Sequence, residues 1–261
     1  MSGVICILGM HRSGTSSLAG SLEEAGLHLG KIIKKAPNNA KGNRENKRIM
    51  DLQDELLAYN GGSWRSPPEN VVWTDAHRAA RDAILASYKR RDLWGFKDPR
   101  TLLTLRFWQE ALPRMTFVAT FRHPLLVAES LIRRNGGDRE RWLALWAEYN
   151  QRLLALHAHY GFEVLSFDGP EGAYRSALRR VALALGLSPP QQLRFFDPRL
   201  RHHVAHPLEA MPERVQAIYD ALNRIAGVSV TGSDAPDARF EQTRPARRRG
   251  FSPIDRHRDD G

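Results

Sequence analysis

The sequence predicts an α/β protein of three layers, a central parallel sheet flanked by helices. Three observations carry this. Short apolar runs such as Val4 to Leu8 and Met115 to Phe121 read as buried strands. Longer stretches with apolar residues at three- and four-residue steps alternate with them and read as helices, and that alternation gives parallel sheets covered on both faces. The chain has 261 residues, enough for one such domain with a large core and a short appendage. Right-handed crossovers then place every strand's carboxyl end at one edge, where ligands bind.

Taken in order, Val4 to Leu8 forms the first strand, Gly9 to Gly14 a tight loop, and Leu18 to Leu27 a helix. Gly30 to Arg44, with its Pro, Asn and Gly, is a loop whose Lys31, Lys34, Lys35 and Lys41 would crowd one side of a site. A helix opens at Glu45 with Ile49, Leu52, Leu56 and Leu57 on one stripe, and Asn60-Gly-Gly-Ser ends it. Trp64 and Trp73 flank the break, packed under a loop or lining a pocket. Thr74-Asp75 caps a helix running to about Arg90. Leu93 to Phe96 is a second strand that delivers Lys97 and Asp98 at its end. Leu102 to Leu112 is helical. Met115 to Phe121 is the central strand and ends on Arg122-His-Pro, with Pro124 suited to a helical first turn. That helix carries Ser130 and ends near Asn135. Asp138 starts a long amphipathic helix closed by Gly161. Phe162 to Phe167 is the last strand, Glu171 to Leu185 a helix, Gln192 to His206 irregular, and Pro207 to Ala226 the final helix. Residues 1–231 make the domain. From 232 to 261, Gly, Ser, Asp, Pro and Arg dominate, as in a disordered tail.

Strand, glycine loop and helix start aim backbone N–H groups and a helix dipole at one point, which suits an anion. The spacing is that of a P-loop, with Gly9 and Gly14 in place but Thr15 where nucleotide triphosphatases carry lysine. The cation stands inside the loop instead, at Arg12. Met10-His-Arg-Ser-Gly-Thr-Ser resembles the phosphosulfate loop of the sulfotransferases, which move a sulfuryl group from 3′-phosphoadenosine 5′-phosphosulfate (PAPS) to a hydroxyl or amine. The resemblance implies a P-loop-type fold and a donor site of Arg12, Ser13, Gly14, Thr15, Ser16 and Ser17. Arg122 and Ser130, eight residues apart, match the family's grip on the donor's 3′-phosphate. A guanidinium plus a neutral donor suits a dianionic phosphate.

Lys97-Asp98-Pro99 resembles a segment in which the lysine stabilises charge during transfer. Asn39-Ala-Lys-Gly-Asn-Arg-Glu resembles a segment in which a glutamate opens the following helix, and this makes Glu45 the expected general base. The expected catalytic set is therefore Glu45, Lys97 and Arg12, with Asp98, His11 and His123 as alternative bases. Arg199 and Arg201 sit in a late basic segment like the one that covers the nucleotide in the family, but the match there is loose.

Composition bounds the rest. A net charge of +10 favours an anionic partner. Arginine is spread along the chain with no Lys-rich tract, so nucleic acid is not the expected partner. No apolar run approaches a membrane span and the N-terminus lacks the features of a secretion signal. One cysteine, Cys6, fits a reducing, cytoplasmic setting. The resemblance implies PAPS as donor, adenosine 3′,5′-bisphosphate as product, no metal, and a small-molecule, carbohydrate or lipid acceptor. Two other readings compete. A P-loop kinase or triphosphatase needs the missing lysine and a strand-end carboxylate for magnesium, for which Asp168 is the candidate. A non-catalytic polyanion-binding protein rests on charge alone.

Overall fold

A computed structural model describes residues 3–36, 39, 41–200 and 209–228. Four strands form one sheet: β1 (Gly3–Leu8), β2 (Leu93–Lys97), β3 (Met115–Phe121) and β4 (Val164–Ser166). Their order is β2-β1-β3-β4, and all are parallel. Eight α-helices lie among the described residues: α1 (Thr15–Glu24), α2 (Lys47–Tyr59), α3 (Asp75–Ala86), α4 (Thr101–Ala111), α5 (Pro124–Asn135), α6 (Arg139–Tyr160), α7 (Glu171–Ala184) and α8 (Glu213–Ile225).

The pleat of β1 explains the layers. Alternate side chains leave a strand on opposite faces. Val4, Cys6 and Leu8 join the core with α2 to α6 and α8. Ile5 and Ile7 face the other way, into a core with α1 and α7. Both faces are buried, so β1 reads as a continuous apolar run. β1 leads on to β2 on one side, while its other neighbour β3 leads away to β4, so the crevice between the carboxyl ends of β1 and β3 is a topological switch point. Arg12 follows β1 and Arg122 follows β3 there.

Local chemistry sets most boundaries where they were expected. Thr74 accepts the His77 N–H and the His77 ring accepts the Thr74 N–H, a reciprocal cap on α3. Gly161 closes α6 in the left-handed conformation. Several boundaries differ. α3 stops at Ala86 rather than near Arg90, and β4 keeps only Val164–Ser166 of the expected Phe162 to Phe167. α1 begins at Thr15, because left-handed Gly14 already turns the chain into the helix. The last helix begins at Glu213 after Pro212, not at Pro207. Asn46, not Glu45, caps α2 by accepting the Arg48 N–H, so Glu45 precedes the helix rather than opening it. The expected tail, 232–261, and Arg201 lie outside the described residues. No described helix is long and apolar enough to cross a membrane.

Candidate functional site

The loop after β1 is held in a conformation that needs its glycines. Gly9 has φ 142° and Gly14 φ 82°. A Cβ on Gly9 would meet the Thr120 carbonyl at 2.4 Å, and one on Gly14 would meet the Phe167 ring at 2.3 Å. Arg12 lies between them at φ 67°, a conformation costly for a residue with a side chain. Its Nε donates to Ser130 Oγ at 2.8 Å, which ties the loop to α5. Gly14 has no side chain to cap α1, so the first-turn amides of that helix are available to an anion.

A cavity of about 570 Å³ opens over this loop. Arg12, Gly14, Thr15, Ser16, Ser17, Glu45, Lys97, Arg122 and Ser130 all line it. Ser13 does not: its side chain is buried behind the loop, and its carbonyl accepts from Thr120 Oγ1 at 3.2 Å. Ser16 Oγ donates to the Asn43 carbonyl at 3.0 Å. Ser17 Oγ is buried with no hydrogen-bond partner, an orphan that a ligand oxygen would satisfy. A phosphorylated nucleotide fits such a lining of amides, hydroxyls and guanidinium groups.

Arg122 is fixed from behind. Its Nε donates to Asp168 Oδ1 at 3.1 Å, and Asp168 Oδ2 accepts the His123 N–H at 2.7 Å. Trp146 Nε1 on α6 donates to the Arg122 carbonyl at 3.1 Å. The carboxylate considered for magnesium is thus an orienting partner for an arginine. Among the described residues no group of His, Cys, Asp and Glu is arranged to hold a metal ion.

Lys97, at the end of β2, donates to Glu45 Oε1 at 2.8 Å, with both side chains buried. The expected base and the expected charge stabiliser are therefore one ion pair. Asp98 points away from the cavity. Its Oδ1 accepts from the Arg100 N–H at 2.9 Å and from Arg100 Nη1 at 3.0 Å, while Oδ2 is buried without a partner. Burial, with the charge of Glu45 adding to it, pushes this carboxyl up to about 6. Arg100 also donates to Asp54.

His11, one of the alternative bases, lines the cavity. Its ring lies 4.3 Å from that of Trp64 and edge-on to Tyr149 at 6.2 Å. Burial first, then the charges of Arg100, Lys97, Arg134 and Arg12, hold it well below the usual imidazole range, so it is neutral. Arg133 and Arg134, at the end of α5, join the lining unforeseen. Their signal lay in the helical period, three and four residues beyond Ser130. Burial, then Arg134, Arg122 and Arg133, also pull Arg12 below the ordinary guanidinium value. Of the four lysines in the Gly30 loop, Lys41 lines the cavity and Lys31, Lys34 and Lys35 do not. Trp64 lines it too, whereas Trp73 packs on Phe107 and donates to Glu110. Arg199 pairs with Asp197 rather than facing the loop.

No family model and no curated protein matches the chain. Solved structures do. The sulfotransferase domain of the olefin synthase of Synechococcus PCC 7002 superposes with a TM-score of 0.50 at 17% identity, over 90% of this chain and 98% of that one. The sulfotransferase STF1 of Mycobacterium tuberculosis H37Rv gives 0.46 at 15% identity, over 85% and 76%. At 17% identity the first match speaks for architecture, and the architecture this chain shares is that of a bacterial sulfotransferase domain, a three-layer P-loop-type α/β fold.

Proposed function

We propose that the protein transfers a sulfuryl group from PAPS to a hydroxyl or amine. One observation carries this reading: Arg12, bonded to Ser130 at 2.8 Å, and Arg122 line one cavity over the first turn of α1. That arrangement offers two anion positions, as a donor with a 3′-phosphate and a 5′-phosphosulfate requires. The loop amides, Arg12 and Ser17 suit the phosphosulfate, and Arg122 with Ser130 suits the 3′-phosphate. Asp168, occupied by Arg122 and the His123 amide, is poorly placed to serve a magnesium nucleotide.

In the reaction the acceptor oxygen or nitrogen attacks sulfur and its proton passes to Glu45. The new bond to sulfur forms as the bond from sulfur to the 5′-phosphate oxygen breaks, and that oxygen leaves with the electron pair. Lys97, Arg12 and the loop amides stabilise the charge that develops on it. Because Lys97 holds Glu45 directly, proton uptake by one and charge stabilisation by the other are coupled.

Calorimetric titration with adenosine 3′,5′-bisphosphate, with and without EDTA, tests the donor site. Binding should be insensitive to EDTA. Arg122→Ala should weaken it by about 3 kcal/mol, roughly a hundredfold. Absence of binding, with magnesium-dependent binding of ATP instead, would overturn the reading in favour of a kinase.

A further inference from the structure

Most cations on the cavity lining are already committed. Lys97 is paired with Glu45, Arg122 with Asp168 and Arg100 with Asp98 and Asp54. Lys41 donates to the carbonyls of Arg194 and Phe195. Arg133 lies 4.0 Å from Glu129. Arg134 is different: it lines the cavity, and no side-chain hydrogen bond or ion pair joins it to any described residue. It stands one helical turn beyond Ser130 and so shares its face of α5. A cation in a last turn also answers the helix dipole, but Arg133 does that equally, and the dipole does not require a guanidinium to face a cavity.

The charge of Arg134 acts on Arg12 and on His11, and the His11 ring lies against half-buried Trp64. The turn that carries Trp64, Ser63 to Ser66, is tied to the end of the same helix, because Arg65 Nη2 donates to Asn135 Oδ1 at 2.9 Å. Trp64 in turn stacks on Trp142 at 6.2 Å and lies under the Arg65 guanidinium at 5.0 Å, so the indole is fixed and only part of its surface is left to the cavity it lines. The end of α5 therefore brings an uncommitted guanidinium to the same cavity lining as Trp64, whose turn is tied to that helix end. Arginine binds planar oxyanions in two-point fashion, and an indole face accepts a ring or another apolar body.

We propose that Trp64 and Arg134 form the acceptor subsite, and that the acceptor carries an oxyanion (carboxylate, sulfate or phosphate) beside a ring or apolar face. The inference rests on the sulfuryl-transfer reading, since it takes the other end of the cavity to be the donor's.

The test titrates bisphosphate-loaded protein with para-hydroxybenzoate, para-hydroxybenzenesulfonate, para-hydroxyphenyl phosphate and the neutral para-hydroxybenzamide. At least one oxyanion should bind about tenfold or more tightly than the amide, and the one that binds best identifies the anionic group. Arg134→Ala should abolish the preference and Arg134→Lys retain part of it. Both should keep bisphosphate affinity within about threefold and melt with the parent protein. Equal binding of acids and amide would overturn the proposal, as would no acid binding at millimolar concentration or a preference that survives Arg134→Ala. A large loss of bisphosphate affinity in Arg134→Ala would also overturn it, by making this arginine a donor contact. Should the parent protein fail to bind bisphosphate, the donor reading falls. The acid-against-amide comparison is then made on the unloaded protein, where the same preference and its loss in Arg134→Ala would uphold the subsite, and equal binding would sink it.

Discussion

Glu45 and Lys97 illustrate why a single substitution in this cavity reads two quantities at once. Their side chains are 8% and 2% exposed. Glu45→Gln leaves a buried ammonium without its counter-charge, and Lys97→Met leaves a buried carboxylate, each costing about 3–5 kcal/mol of stability. Each should also lower turnover, by roughly 10²- to 10⁴-fold. The double variant separates the effects. It should regain most of the stability, because no unpaired charge remains, while turnover stays lost. Denaturant unfolding and initial rates of all three variants decide this, and a double variant that still turns over would remove both residues from the chemistry. The loop pattern brought each residue to the site by its own local resemblance. Their pairing was not legible, since it joins a strand end to a segment ahead of α2 that meet only in the folded chain. His11 is similar: its place in the loop is plain from the sequence, but its neutrality comes from Trp64, Tyr149 and the arginines packed round it.

At the level of elements, the strands and most helices were readable because apolar period and end chemistry agree. Met115 to Phe121 and Pro124 to Asn135 fall where the pattern puts them. The misses lie where hydrogen bonds or conformation outweigh pattern, as at Gly14, Asn46 and Pro212. The segment around Phe195 belongs to the same class. It looks irregular in sequence, yet Glu24 accepts the N–H groups of Arg194 and Phe195, both at 2.9 Å, and Arg44 lies 4.5 Å over the Phe195 ring. That ring presses on α1, where a Cβ on Gly20 would meet it at 2.2 Å. Helix propensity alone makes Gly20→Ala stabilising by about 1 kcal/mol. The collision should reverse the sign, to a loss of about 1–3 kcal/mol, with weaker bisphosphate binding as the segment is pushed out. Adding Phe195→Ala should restore the propensity gain. A raised melting temperature in the single variant would show that the segment yields freely.

For the molecule as a whole, the positive balance pointed to an anion, and the fold gathers that charge where the carboxyl ends of β1, β2 and β3 meet. Chain composition says how much charge there is, but only the sheet order says where it goes. The same gathering traps Asp98. Its folded pKa, up to about 6, lies above the ordinary carboxylate value. The sign follows: its contribution to stability is complete while the carboxyl is protonated in both states, and is lost as pH rises through the folded value. Relative to Asp98→Asn, the parent protein should lose on the order of 2–3 kcal/mol between about pH 4 and pH 7. Urea titrations of both proteins across that range measure it, and parallel curves would show that the carboxylate is better solvated than its burial implies.

Cys6 sits in the middle of β1 with no exposed surface, and burial together with the charge of Asp98 raises its thiol well above the usual range. It is also the sole sulfhydryl in the sequence. A thiol-reactive dye can therefore react only after β1 has parted from a neighbouring layer. The labelling rate is a clock for opening of the sheet, and a donor nucleotide seated on the loop that β1 feeds should slow it.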